Sequence, residues 1–336
     1  MLQTMLTTVI AFLSLMCVSA CAQTSLPGGR LTLSNGSCVM TADVVAATTL
    51  YYAPCTGNTV PIYDGTTSFM LKIFTSSDTD TSGLVLSLGS NWSANTLYDV
   101  FVGMNGATVS LCTGPAWGNS GAGISSRSAG AGLALFKGIW TNAATLSCQT
   151  SVAAFSCPAN QCTYLGTFLT SGIAGQVSFQ FGTIALGGGA VQASVWNMYN
   201  RTPGAFGVFD STGIWTVSAV NTYQMLDNSP TNRISFVTGM GDDPIDVTVS
   251  SAVYSLAATG SYISFGLNNT NAVWPRCFVG FNNGAVFGQG IGICRGNVPI
   301  GFNFLQALQF ATSTSIQFQT NWAAPSTEGI LATWWW

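Results

Sequence analysis

Along almost its whole length the chain is written as short apolar or alternating runs cut by Gly, Asn, Ser and Asp, and 3.6-residue periodicity is nearly absent. No feature constrains the fold more, because such runs bounded by turn formers build strands and leave no stretch committed to a helix. The runs predict strands over Gly29–Leu33, Thr48–Ala53, Phe69–Phe74, Gly83–Leu88, Asp99–Val102, Thr108–Cys112, Leu133–Phe136, Thr163–Phe168 and Val177–Phe181. They resume at Gly213–Ala219, Arg233–Thr238, Ile245–Tyr254, Tyr262–Leu267, Cys277–Phe281, Gly301–Phe310 and Ser315–Gln319. Asn-Gly and Asp-Gly tolerate positive φ, so Asn105-Gly106, between Phe101–Val102 and Val109–Leu111, predicts an antiparallel hairpin. Ala190–Asn200 reads as a strand or a short helix, and the chain is expected to turn and divide at Arg201-Thr202-Pro203. The expected fold is all-β: antiparallel β-sandwich or jelly-roll-like domains, two in tandem, over residues 23–202 and 203–336. The 38 glycines follow no fixed period, so no solenoid or collagen repeat is present.

Residues 1–22 read as a leader. The apolar run from Met5 to Ala20 is shorter than the ~20 residues of a membrane span and suits a signal-peptide core. Val18-Ser19-Ala20-Cys21 looks like a lipobox in which Cys21 would be lipidated, and Ala20-Cys21-Ala22 offers an ordinary cleavage site. The first five residues, MLQTM, lack the usual positive charge, which leaves a retained apolar anchor or packing helix open.

The chain has ten cysteines and no histidine, which removes Cys₂His₂ zinc sites and every histidine-based triad or dyad. Beyond the leader stand Cys38, Cys55, Cys112, Cys148, Cys157, Cys162, Cys277 and Cys294. An even number suits export into an oxidising compartment. Sequential pairing is the simplest arrangement, though eight cysteines allow 105 connectivities and buried thiols are the alternative. Charged residues are 6% of the chain, and the basic ones are Lys72, Lys137 and six arginines. Nucleic acid is therefore not an expected partner, since phosphate binding relies on clustered Lys and Arg.

Candidates for chemistry are few. Asp242, Asp243 and Asp246 in GMGDDPID could hold Ca²⁺ or act as paired carboxylates, or form a solvated turn. Asp78-Thr79-Asp80 reads as an exposed polar loop, and Gly288-Gln289-Gly290-Ile291-Gly292 as strand-and-turn glycine rather than a nucleotide loop. Cys157 and Cys162 are separated by four residues and make a small disulfide loop, not a redox CxxC. No catalytic residue and no cofactor other than Ca²⁺ is expected. Trp92, Trp117 and Trp274 each adjoin polar turn residues and are expected to stack on sugar rings. Trp334, Trp335 and Trp336 are costly to leave in water, so they are expected to bury against a neighbouring subunit, or within their own domain.

Gly29-Arg30-Leu31-Thr32-Leu33, Thr41-Ala42-Asp43-Val44, Thr48-Thr49-Leu50-Tyr51-Tyr52-Ala53-Pro54, Gly57-Asn58 and Ile62-Tyr63-Asp64-Gly65 together resemble a family of phage and prophage virion proteins. Further segments follow in the family's order: Tyr98-Asp99-Val100-Phe101, Gly114-Pro115-Ala116-Trp117, Trp140-Thr141-Asn142-Ala143, Thr163-Tyr164-Leu165-Gly166-Thr167, Val195-Trp196-Asn197-Met198-Tyr199-Asn200-Arg201 and Phe304-Leu305-Gln306-Ala307-Leu308. The resemblance implies a tail-fibre-like, receptor-facing structural role and brings no catalytic residues. The chain departs from the pattern in its extra cysteines, its low charge and Thr333-Trp334-Trp335-Trp336.

The expected function is that of a non-enzymatic virion or surface protein that assembles with copies of itself, or with other virion or surface proteins. It would attach to host glycans through repeated weak sites. The expected location is a virion surface, or the extracellular or cell surface after export. A secreted bacterial surface lipoprotein, adhesin or filament subunit is the alternative, and a polysaccharide depolymerase a third.

Overall fold

The computed structural model describes residues 25–75, 83–241, 244–255, 260–278, 280–283, 288–319 and 329–336. Within these the chain is strand and turn, with one 3-10 turn at Leu226–Asn228 and no α-helix. The fold is all-β, and no helix among the described residues is long and apolar enough to cross a membrane.

The strand Pro244–Tyr254 shows how the sequence dictates this. Ile245, Val247 and Val249 are buried while Pro244, Asp246 and Thr248 are exposed, the period of two that puts alternate side chains on opposite faces. The 105–106 turn forms as expected, with Asn105 paired to Thr108 and Gly106 at φ 62°. Asp64-Gly65 also turns: the Asp64 carboxylate accepts backbone N–H bonds from Thr66, Thr67 and Ser68 at 2.8, 2.9 and 3.1 Å. Led by the Thr66 N–H, these donors hold its carboxyl well below the usual carboxylate range. Ala190–Asn200 resolves into two strands, Val191–Ala193 and Val195–Asn197.

Two eight-stranded sheets dominate the molecule. The first runs in the order Val44–Ala47, Val177–Gln180, Val191–Ala193, Arg233–Thr238, Gly301–Ala311, Gly260–Leu267, Gly280–Asn283, with Gln224–Met225 beside Gly301–Ala311. The second runs Ile184–Ala185, Pro203–Asp210, Gly329–Trp335, Pro244–Tyr254, Gly288–Asn297, Cys277–Phe278, with Gln317–Gln319 and Ile214–Thr216 attached. Pairing is antiparallel except between Val191–Ala193 and Arg233–Thr238, and between Ile184–Ala185 and Pro203–Asp210.

The inner faces of the two sheets share one core: Phe236 lies 5.1 Å from Trp334, and Phe179 5.7 Å from Phe206, between ring centroids. Glycine permits the closest approach. A Cβ at Gly290 or Gly292 would stand 2.8 Å from Ile263, so this glycine-rich stretch is a strand whose inner positions must be small.

The remaining strands form a six-stranded sheet built on Leu97–Asn105, Thr108–Ala116 and Thr163–Leu169, a three-stranded sheet containing Gly29–Thr32, and two hairpins. The expected division at 202/203 falls where strands from both sides share sheets: Val44–Ala47 and Val177–Gln180 lie in the same sheet as Gly301–Ala311. Buried Arg30 bridges the same stretches, donating from Nη1 to Thr202 Oγ1 at 2.7 Å and from Nη2 to the Trp336 carbonyl at 2.8 Å. Its guanidinium lies 3.8 Å from the centroid of the Trp336 ring.

The cysteines pair as Cys38–Cys55, Cys112–Cys148, Cys157–Cys162 and Cys277–Cys294. The Cys112, Cys148 and Cys162 sulfurs lie within 4.8 Å of one another in the second core, but as disulfides they offer no thiolate to a metal. Four disulfides fit an oxidising, extracellular environment.

Candidate functional site

The site is a groove on the outer face of the first large sheet, where the six-stranded sheet abuts it. Gln192, at the centre of Val191–Ala193, and Phe302, near the start of Gly301–Ala311, project from that face and are half-buried. A cavity of about 430 Å³ opens on one side of this pair, lined also by Asn95, Ser120, Leu169 and Ser171. One of about 230 Å³ opens on the other side, lined also by Pro230, Thr231, Arg233 and Ser235. Gln192 and Phe302 belong to both cavities, so the two make one groove with a waist.

The wall of the larger cavity is the 118–128 loop, and hydrogen bonds hold its shape. Asn119 and Ser126 bridge each other, Ser120 Oγ accepts the Leu97 N–H at 2.9 Å, and Ser125 Oγ donates to the Gly121 carbonyl at 2.8 Å. The loop clamps Phe302: the Phe302 N–H donates to Ser125 Oγ at 3.0 Å, and its carbonyl accepts the Gly123 N–H at 2.9 Å. Glycine is required at 301, where φ is +90° and a Cβ would meet Ser125 at 2.1 Å.

The end of the loop is anchored by charge. Arg127 Nε meets Asp99 Oδ2 at 2.6 Å and Nη2 meets Oδ1 at 3.1 Å, while Nη2 also reaches the Gly239 carbonyl at 3.0 Å. Thr167 Oγ1 donates to Asp99 Oδ1 at 2.7 Å, and the Tyr164 hydroxyl lies 2.6 Å from Thr167 Oγ1. Burial pulls the Arg127 guanidinium down, but Asp99 and Tyr164 outweigh it and hold the group above its ordinary value. Burial drives the Tyr164 phenol strongly upward, so it stays protonated. Arg127, Asp99, Thr167 and Tyr164 line neither cavity of the groove; the work of this network is to fix the groove wall.

The groove is a largely polar, hydrogen-bonding surface with one ring, Phe302, and one cation, Arg233. The side-chain amides of Gln192 and Asn95 make no hydrogen bond to another described residue. Arg233 donates from Nε to Gln306 Oε1 at 3.0 Å, its guanidinium lies 3.9 Å from the centroid of the Phe304 ring, and it lines the smaller cavity. Amides, hydroxyls and a ring edge match an alcohol-rich ligand. Among the described residues that line it there is no carboxylate.

The sequence-predicted sites fare differently. Trp92, Trp117 and Trp274, expected as exposed sugar platforms, are 1%, 5% and 8% exposed, which corrects that expectation. Each indole turns inward from its polar turn: Trp92 Nε1 donates to Thr113 Oγ1 at 3.0 Å, Trp117 packs 4.5 Å from the Arg127 guanidinium, and the Trp274 ring lies over Gly296. Trp334 and Trp336 are also buried, within their own chain rather than against a subunit, while Trp335 stays half exposed. Asp242, Asp243 and Cys21 lie outside the described residues, as does Asp78-Thr79-Asp80. Asp246 is exposed and its Oδ1 meets Arg295 Nε at 3.2 Å. The groove itself escaped the sequence reading. Its available signal is the alternation Phe302-Asn303-Phe304, which puts both rings on one face of a strand.

No family model matches the chain, and no curated protein matches it. A match among solved structures is a Bacillus thuringiensis Cry1Da tryptic core variant, with 8% identity and a TM-score of 0.19 over 86% of this chain. The chain spans 48% of that protein's length, and at that score the likeness bears on neither fold nor function.

Proposed function

We propose that the chain is a non-enzymatic structural and attachment protein of an exported or virion surface, and that it binds host glycan in the Gln192–Phe302 groove. The observation that carries the reading is the groove's lining: unpaired amides, hydroxyls and an aromatic ring over a scaffold held by disulfides. Pyranoses present one apolar face and a rim of hydroxyls, which Phe302 and the Gln192 and Asn95 amides complement. Arg233 in the smaller cavity would favour a ligand carrying a carboxylate or sulfate at one end. The low charge and the resemblance to virion attachment proteins support a repeated surface subunit, and avidity supplies strength that one shallow site lacks. The jelly-roll-like description and the tail-fibre-like role belong to the same reading.

The test is binding to an array of neutral and acidic oligosaccharides, followed by calorimetry on those retained. Gln192→Ala, at a half-buried position whose side chain has no hydrogen-bond partner among the described residues, is expected to weaken binding about tenfold, the worth of one or two hydrogen bonds. The retained sugar is expected to keep its mass after incubation. Equal binding by Gln192→Ala, or cleavage of the sugar, overturns the reading.

A further inference from the structure

The second large sheet inverts the usual sidedness of a surface strand. In Gly288–Asn297 the inner positions are Gly290, Gly292, Cys294 and Gly296, while Ile291 and Ile293 point outward at 43% and 51% exposure. Neighbouring strands continue the apolar face. Thr248 pairs with Leu331 on one side and Ile293 on the other, and Ile293 pairs with Phe278, so Leu331, Thr248, Ile293 and Phe278 form one row across four strands. Leu331 is 48% exposed and Phe278 82%. In the next row Asp246 stands beside Arg295. These two are the charged residues on the outward face of this sheet's described strands, and both are exposed.

We infer that this face is a symmetric interface with a second copy of the chain. The inference rests on the proposed reading of the chain as a repeated surface subunit, and it names where copies meet. The face is self-complementary about a two-fold axis lying in its plane, between Pro244–Tyr254 and Gly288–Asn297. Rotation about that axis sets Asp246 opposite Arg295 of the second copy and Arg295 opposite its Asp246. It also sets Leu331 opposite Phe278 and Thr248 opposite Ile293. Each charge meets its opposite and the exposed Phe278 ring meets an aliphatic side chain, as isologous contacts require. The strands of the two copies then run aligned, within the roughly 30° that sheet twist imposes on packed sheets. The four strands of the row, about 19 Å across, and seven residues, about 24 Å along, present at most roughly 450 Å² in projection.

Analytical ultracentrifugation of the full chain tests this, with melting temperature confirming that each variant folds. The wild type is expected to sediment as a species containing the two-fold pair. Ile293→Lys, which places a charge in the apolar row, is expected to dissociate it. Asp246→Arg and Arg295→Asp, each alone, set like charges opposite each other and are expected to raise the dissociation constant at least about tenfold. Mixed one to one, these two variants again oppose unlike charges and are expected to associate with each other. That rescue is intermolecular, because neither chain regains its own ion pair. A monomeric wild type, association unaffected by Ile293→Lys, or no rescue on mixing overturns the interface. Glycan binding measured on the same samples keeps the readings apart, since the groove lies on the other large sheet: binding by a monomeric wild type sinks the interface alone, and loss of binding with intact dimers sinks the glycan site alone.

Discussion

At Arg127 and Arg30 the chain buries charge and must answer for it. Arg127 is satisfied by the Asp99 carboxylate, the Gly239 carbonyl and the Trp117 ring, so deleting its anion strands a cation in the core. Asp99→Ala is expected to cost about 3–5 kcal/mol in chemical denaturation, and to loosen the 118–128 wall as faster amide exchange at Gly123 and Phe302. At Arg30 burial lowers the pKa to about 10, and the guanidinium relies on the Thr202 hydroxyl, the Trp336 main-chain oxygen and the Trp336 ring. Tyrosines supply the pH dependence. Burial raises the Tyr199 phenol to about 12 from 10.0, against the pull of the Trp140 N–H, and Tyr52 and Tyr164 are raised further by burial. A phenol whose folded value lies above its unfolded one stabilises the native state fully below the unfolded value, and that stability is lost as pH rises through the folded value. Through these phenols, stability measured in urea is therefore expected to be level from neutral pH to 10 and to fall steadily as pH climbs from 10 towards 12.

At the scale of elements, Gly329–Trp335 shows how alternation sorts identical residues. Trp334 stacks on Phe206 at 4.1 Å and Trp336 packs on Phe179 at 4.4 Å, while Trp335 between them faces outward beside Pro203. Trp334→Ala and Trp336→Ala are each expected to cost about 3–5 kcal/mol by denaturant midpoint, and Trp335→Ala less than about 1 kcal/mol. Three adjacent tryptophans announce buried area in the sequence, but which of them face inward depends on register, set by the pairing of Trp334 with Gly204. The groove wall is a different case. Residues 118–128 read as Gly- and Ser-rich loop, and their hydrogen bonds to Phe302 join positions far apart in the chain that no local pattern connects.

Over the whole molecule, sheet crossovers bind the two halves of the chain together, while each disulfide closes a loop within one half. Loop-closure entropy assigns the Cys112–Cys148 bridge, with a sequence separation of 36, about 4 kcal/mol, and the Cys157–Cys162 bridge, with a separation of 5, about 2 kcal/mol. Replacing each pair by serines and measuring unfolding in guanidinium is expected to return the costs in that order. The sequence by itself determined that the chain is all-β and where most strands lie, because period-two patterning and turn residues act within a few neighbours. It also marked eight cysteines as a disulfide set while leaving their partners open. Only the tertiary structure decided the rest. Trp92, Trp117 and Trp274 sit beside polar turns yet turn inward, because an indole buries wherever a core lies within reach, and nothing local says where the core is. The chain bends at Met198–Asn200, just before the expected 202/203 boundary, yet sheets cross that boundary, because strand pairing ignores distance along the chain. The Gln192–Phe302 groove exists only where two sheets meet, so its residues carry no shared signal until the fold brings them together.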